Sequence, residues 1–284
     1  MPKTVCASCL TFSINKIVKS PDDMKPSWLQ KYDYLEEFIS NQTDFRLTKP
    51  KSYDTSVDLE MKKMANRKIL YWAAHSKSNE SDLSINDAKT AYGDFSNFGI
   101  AKCDNNGKVK VHFDFPQLYS TIRKGEKKPQ TFHHHFHFVI SNKDETGWLS
   151  QVYTKIVIKN LSFSELESKR KHNKTFLLNT LPCEYYAQDH IPNSYNLYYK
   201  QIKKMSIAEL QNWFLNVIKT NYPELHKLLK NKTLSINEIP IVCYCAHKDC
   251  NASELALEEL AKKGFVNCCL YEGGMKEFNQ KHKK

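Results

Sequence analysis

Between residues 156 and 278, short apolar runs rich in β-branched and aromatic residues alternate with amphipathic helical stretches. This alternation narrows the fold more than any other feature of the chain. The runs are 156–158, 176–178, 239–245 and 265–271. Between them, Ser206-Ile-Ala-Glu209 is a capping box, and Ile207, Leu210, Phe214, Val217 and Ile218 share a helical stripe. Ser253, Ala256, Leu257, Leu260 and Ala261 lie on one face of a second helix, ended by Gly264. Strands joined through a helix run parallel, because the helix carries the chain back along the sheet before the next strand starts. The C-terminal half is therefore expected to be α/β, a parallel sheet flanked by helices.

The first 150 residues lack this pattern. Trp28, Leu29, Tyr32, Leu35 and Phe38 recur at helical spacing over residues 27–39. Residues 69–74 read as a buried strand or short helix. Residues 100–103 and 109–115 flank Asp104-Asn-Asn-Gly107, a turn that predicts a hairpin between them, since Asn-Gly supplies the positive φ a tight turn needs. Val109, Val111, Phe113 and Phe115 alternate with Lys110, His112 and Asp114, so one face of that strand is expected to be buried. Another strand is expected over 131–141, with a turn at 142–147. These elements predict a separate α+β, mainly antiparallel domain over residues 1–150, followed by a second domain over 153–280; a length of 284 residues accommodates two.

Composition restricts the setting. Hydrophobic residues make up 40% of the chain, enough to build cores. No run of about 18 apolar residues is present, and the first ten residues carry no apolar signal segment, so a soluble, cytoplasmic protein without a membrane span is expected. Lys and Arg number 42 against 31 Asp and Glu, a net charge of +11. The lysines are spread over 62–63, 124–128, 169–174, 200–204 and 281–284 and form no single reading helix. That favours weak contact with nucleic acid or an acidic protein over sequence-specific binding. The nine cysteines, an odd number with no disulfide-framework spacing, are expected to be free thiols. Cys6-Ala-Ser-Cys9 has the spacing of half a zinc site, but no matching pair follows, and no metal or cofactor is assigned.

Two clusters carry candidate chemistry. In His133-His-His-Phe-His137, a strand would put His133, His135 and His137 on one face, either as a metal or phosphate site or as part of a structural strand. The alternation is loosely similar to that of histidine-triad nucleotide hydrolases, with His134 where that motif has an apolar residue and without its glycine-rich approach. The second cluster is Cys245. It ends the run Pro240-Ile-Val-Cys-Tyr-Cys245, is followed by Ala246, His247, Lys248, Asp249, Cys250 and Asn251, and precedes a helix starting near Ala252 and Ser253. Reactive groups in a parallel sheet belong at the carboxyl ends of strands, and a loop of this size followed by a helix N-terminus can turn backbone N–H groups toward a thiolate. Cys243, Cys268 and Cys269 read as buried thiols.

Pro240-Ile-Val-Cys-Tyr-Cys245, Ser253 and Tyr271-Glu-Gly-Gly-Met-Lys-Glu-Phe278 together resemble the active-site half of a rhodanese domain. Phe176-Leu-Leu-Asn-Thr-Leu-Pro182 is similar to the family's first-strand motif, and Tyr186-Ala-Gln-Asp-His-Ile-Pro-Asn-Ser-Tyr-Asn196 to its Gly-His-Ile-Pro-Gly-Ala signature. The resemblance covers residues 153–280. It implies the family's α/β fold and a sulfurtransferase in which Cys245 is the nucleophile, takes a sulfane sulfur as a persulfide and passes it from a sulfur donor to a thiol acceptor. Asn179 stands where the family usually has Asp, and Asp189 where it usually has Gly. Cys250 and Asn251 replace the loop's usual Arg, and the loop is about two residues longer than the common one. The related cell-cycle phosphatases need an Arg where this chain has Asn251, so phosphatase chemistry is not expected. Cys250 reads either as a resolving thiol for Cys245 or as a packed small residue. The alternative to an enzyme is a rhodanese-fold docking module that binds an acidic partner or nucleic acid.

Overall fold

The computed structural model describes residues 14, 16–19, 38–39, 41–75, 88–122 and 127–282. The Cys6 and Cys9 pair, residues 27–37 of the first expected helix and residues 124–126 of a basic run lie outside the described residues. The chain divides into two compact units, Ile14–Val157 and Ile158–Lys284.

The first unit is built on a five-stranded antiparallel sheet in the order β1 (Val18–Lys19), β9 (Tyr153–Ile156), β8 (His135–Ile140), β3 (Lys68–Ala73) and β4 (Phe98–Lys102). The apolar run 69–74 is continuous because β3 is covered on both faces. Leu70 and Trp72 pack with Tyr92, Ile100, Tyr119 and Val139, while Ile69, Tyr71 and Ala73 pack with Phe113, Phe136, Phe138 and Ile140. A short helix, α1 (Ala88–Tyr92), contributes Ala91 and Tyr92 to the first of these clusters.

Two sequence expectations fail here. The expected hairpin does not form: β5 (Lys108–Phe113) pairs with β2 (Thr55–Glu60), and β4 pairs with β3. The turn itself is present, with Gly107 at φ +77° and its N–H donating to the Asp104 carbonyl at 3.1 Å. The Met61 N–H donates to the Gly107 carbonyl, and a Cβ on Gly107 would lie 2.1 Å from the Met61 carbonyl oxygen, so the glycine lets the β2 segment approach and take the strand. The run 156–158 does not open the parallel sheet either; β9 is antiparallel to β8, with Thr154 opposite His137. A further pair, β6 (Ser120–Thr121) and β7 (Gln130–Thr131), is also antiparallel.

The second unit is α/β. Its four parallel strands lie in the order β11 (Ser194–Asn196), β10 (Phe176–Asn179), β12 (Ile241–Tyr244) and β13 (Cys268–Tyr271), so β12, which leads into Cys245, is internal. Helices precede, connect and follow the strands: α2 (Phe163–Lys171), α3 (Cys183–Gln188), α4 (Tyr199–Lys204), α5 (Ile207–Asn221), α6 (Pro223–Lys230), α7 (Ala252–Lys262) and α8 (Gly274–His282). Leu177, Val242, Tyr244, Cys269 and Tyr271 pack on one face with Leu166 of α2 and with Met275 and Phe278 of α8. Phe176 turns to the other face, 4.9 Å from the Phe214 ring of α5, and Phe214 in turn meets Phe265. The expected capping box of α5 is formed, Ser206 Oγ accepting from the Glu209 N–H. Leu210, Phe214 and Ile218 of its stripe are buried, whereas Ile207, at the first turn, is exposed. No helix among the described residues is long and apolar enough to cross a membrane.

Candidate active site

Cys245 is the first residue after β12 and is fully buried. The loop that follows rises to the surface and returns: Ala246 is half-buried, His247, Lys248 and Asp249 are exposed, Cys250 is half-buried, and Asn251 is exposed. The Cys250 N–H donates to the His247 carbonyl at 2.9 Å, which closes this turn, and α7 starts immediately afterwards with Ala252 and Ser253 buried. Ser253 is small enough to sit beneath the loop, with its Oγ 3.4 Å from Cys245 Sγ.

The atoms around Cys245 Sγ differ from the ring of N–H donors expected from sequence. The Cys245 thiol donates to the Cys250 carbonyl at 3.1 Å and lies 3.8 Å from the His247 carbonyl. The Ser253 N–H and hydroxyl are the groups that favour a thiolate. Burial is the largest influence and pushes the Cys245 thiol above its ordinary range; the Ser253 hydroxyl opposes this, and the neighbouring Cys250 thiol adds to it. A neutral thiol needs an acceptor, and the loop supplies one. The resting site is therefore arranged around S–H.

The start of the loop is held by backbone. The Met275 N–H donates to the Cys245 carbonyl at 3.0 Å, and the Lys276 N–H to the Ala246 carbonyl at 2.9 Å, so the first turn of α8 clasps both residues. Gly274 adopts φ +58° to bring that turn in, and a Cβ there would lie 2.5 Å from the Cys245 carbonyl oxygen. Beneath the same strand end, the Tyr244 hydroxyl accepts from the Ile191 N–H at 3.1 Å and meets Ser194 Oγ at 2.6 Å. That ties the His190-Ile-Pro192 segment to the residue preceding Cys245. Sequence reasoning singled out neither Tyr244 nor Gly274 individually. The paired glycines before α8 were the available signal for the second, and nothing local marked the first. Tyr244→Phe is expected to lower stability by about 1–3 kcal/mol, because it leaves a buried N–H and hydroxyl unpaired; thermal unfolding of the variant measures this.

Two of the departures from the family motifs, Asn179 and Asp189, have local roles. Asn179 is fully buried at the end of β10, where its Oδ1 accepts from the Leu181 N–H at 3.0 Å and from Asn196 Nδ2 at 3.2 Å. A neutral amide makes these bonds without the desolvation cost of a buried carboxylate. Asp189 Oδ2 accepts from Asn279 Nδ2 of α8 at 2.6 Å. Cys243, Cys268 and Cys269 are buried, and burial raises the Cys243 and Cys268 thiols. A cleft of about 700 Å³ opens beside the loop, lined by His247, Lys248, Asp249, Glu272, Lys276 and Glu277 among others.

The histidine cluster is organised differently. The strand starts at His135; His133, His134 and His135 are all buried, and His137 is half-buried. His135 Nε2 meets the hydroxyls of Tyr119 at 3.0 Å and Tyr92 at 3.4 Å, and His137 Nδ1 meets Thr154 Oγ1 at 2.8 Å. Burial pushes His135 down to about 4 and His137 well below its usual range, so both are neutral at pH 7. Among the described residues no group of three or more His, Cys, Asp or Glu side chains is placed to hold a metal. Ring nitrogens that share hydrogen bonds with core hydroxyls serve the packing of this sheet.

Comparison with known proteins places the second unit. Residues 162–281 match the family model of the rhodanese-like domain. No curated protein matches the chain. Among solved structures, an uncharacterized protein from Saccharomyces cerevisiae is 20% identical over 44% of this chain and 94% of its own, with a TM-score of 0.33. The human single-domain sulfurtransferase TSTD1 is 20% identical over 44% of this chain and 98% of its own, with a TM-score of 0.31. The single-domain sulfurtransferase RDL2 of Saccharomyces cerevisiae is 15% identical over 44% and 91%, with a TM-score of 0.32. The parallel sheet, the order of its motifs and the family-model match agree: residues 162–281 belong to the rhodanese-like domain family.

Proposed function

We propose that the rhodanese-like domain is a sulfurtransferase that carries a sulfane sulfur as a persulfide on Cys245. The observation that supports this most is the position of Cys245 Sγ at the carboxyl end of an internal parallel strand, against the N-terminus of the 11-residue helix α7 and 3.4 Å from Ser253 Oγ. A helix N-terminus adds roughly half a positive charge where an anionic sulfur would develop. In the first step the Cys245 thiolate attacks the sulfane sulfur of a donor; the donor's sulfur bond breaks with its electron pair, and Cys245 gains one sulfur atom. In the second step an acceptor thiolate attacks that terminal sulfur and Cys245 is released. The cleft beside His247, Lys248 and Asp249 gives both partners a route to the loop. Intact mass after incubation with thiosulfate, cysteine persulfide or mercaptopyruvate tests the reading: a gain of one sulfur atom supports it, and no gain with any of the three removes it.

The resting thiol sets a pH dependence. Only the thiolate attacks, and burial raises the pKa of Cys245, so sulfur uptake is expected to climb with pH through a midpoint above that of an ordinary cysteine. Ser253→Ala removes a hydroxyl that favours the thiolate, and the midpoint should move up further. A hydrogen bond to a charged group is worth about 1.5–3 kcal/mol, so a loss of about tenfold in uptake at pH 8 is expected. Uptake rates measured across pH for both proteins check this; a midpoint below that of free cysteine contradicts it.

The burial of the same thiol favours a second reading, a rhodanese-fold docking module whose basic surface meets an acidic partner or nucleic acid. The mass measurement separates the two, since docking requires no sulfur uptake.

A further inference from the structure

We infer that Cys250 is a second catalytic thiol, which discharges the Cys245 persulfide as hydrosulfide and closes a Cys245–Cys250 disulfide. The inference rests on the persulfide reading of Cys245. Its basis is the way the loop folds back: the Cys245 thiol donates to the backbone carbonyl of Cys250 itself at 3.1 Å, and the Cys250 thiol is near enough to raise the pKa of Cys245. Five residues apart in sequence, the two cysteines are brought together because the Cys250 N–H bonds the His247 carbonyl and turns the chain inward just before α7. Cys250 precedes Ala252, the first residue of that helix, so a bond to Cys245 closes the loop without breaking a helical turn. Cys250 is half-buried whereas Cys245 is fully buried, so the second thiol is the one of the pair that solvent reaches.

The chemistry balances without a bound cofactor. The Cys250 thiolate attacks Cys245 Sγ, the bond from Cys245 Sγ to the terminal sulfur breaks, and that sulfur leaves with the electron pair as hydrosulfide, which takes up a proton. The two cysteine sulfurs are together oxidised by two electrons, and the sulfane sulfur is reduced by two. A dithiol reductant then attacks the disulfide, returns both cysteines to thiols and is itself oxidised to a disulfide. A domain of this kind needs no thiol acceptor in its first turnover, and its product is sulfide.

The test uses the full chain and two treatments. In the first, the reduced protein is given cysteine persulfide with no other thiol, and released sulfide is measured per sulfur atom bound, with intact mass under non-reducing conditions. The wild type is expected to gain one sulfur atom, lose it, and end two hydrogens lighter than the starting protein, with a Cys245–Cys250 cross-link in the peptide map. Cys250→Ser and Cys250→Ala should hold the added sulfur, with sulfide released per bound sulfur reduced at least about tenfold until a thiol is added. In the second, hydrogen peroxide replaces the persulfide, which probes the pair without any sulfur donor, and the same cross-link is expected. Equal sulfide release by wild type and variants, or a persulfide-loaded wild type with Cys250 recovered as a free thiol, overturns the inference while leaving Cys245 as the sulfur carrier. A cross-link with peroxide but no sulfur gain from the persulfide leaves the two thiols neighbours and removes sulfur transfer itself, and the inference with it.

Discussion

Cys245→Ser is expected to abolish the gain of a sulfur atom from every donor while leaving the fold in place. Serine is nearly the same size, and the site suits it: its hydroxyl can donate to the Cys250 carbonyl that Cys245 now meets at 3.1 Å and can exchange a hydrogen bond with Ser253 Oγ. The stability change should therefore stay within about 1–2 kcal/mol. Chemistry is lost completely because an alkoxide at this position has no route to a persulfide, and the other thiols of β12 and β13 are buried, with burial holding Cys243 and Cys268 protonated. Intact mass after donor treatment and a thermal unfolding curve are the two measurements. Sulfur uptake at the wild-type rate by the folded variant would assign the reaction to another cysteine.

Gly274→Ala is expected to have the largest effect on stability of any single methyl addition near the site, about 3 kcal/mol or more. A side chain at φ +58° costs about 1–2 kcal/mol by itself. The added Cβ also meets backbone on every near side, the Cys245 carbonyl oxygen at 2.5 Å and the Ala246 carbonyl carbon and oxygen at 2.8 and 2.9 Å. These atoms cannot rotate away as a flexible side chain would; relief requires α8 to withdraw, which breaks the bonds from Met275 and Lys276 that clasp the loop. For a unit of this size the loss corresponds to a fall of roughly 10 °C in unfolding temperature. Sulfur uptake should fall as well, because the carbonyls of Cys245 and Ala246 lose their restraint. A variant that unfolds within about 2 °C of wild type would show that α8 shifts freely and does not clasp the loop.

What could be read in the chain follows the range of the interactions involved. The apolar runs at 176–178, 239–245 and 265–271 and the stripes of α5 and α7 mark the parallel half, because each strand or helix there is set by its own residues and the connections leave few topologies. The position of Cys245 followed from the same local grammar: a strand, a loop, a helix start. In the antiparallel half the same grammar misled. The Asp104–Gly107 turn is local and formed as expected, yet the partner of β5 is β2, about fifty residues away, admitted by the bare backbone of Gly107 against Met61. Strand partners in an antiparallel sheet are chosen by which faces bury together, and residues 69–74, apolar on both faces, gave no sign of their neighbours.

The candidate site divides in the same way. The sequence by itself singled out Cys245 as the candidate nucleophile, its loop and the family of the domain, since all three rest on short motifs of contiguous residues. Tertiary structure alone decided the surroundings of the thiol and its restraints. The acceptor for the Cys245 thiol is the carbonyl of Cys250 in the returning loop, and the Tyr244 hydroxyl joins the strand end to residues 191 and 194. The histidine cluster became a set of neutral rings bonded to Tyr92, Tyr119 and Thr154 rather than a face of three ligands. For the thiol and the histidines the deciding quantity is desolvation, and for Tyr244 it is a hydrogen bond between distant segments; both depend on what the whole fold brings around a group and have no local signature in the sequence.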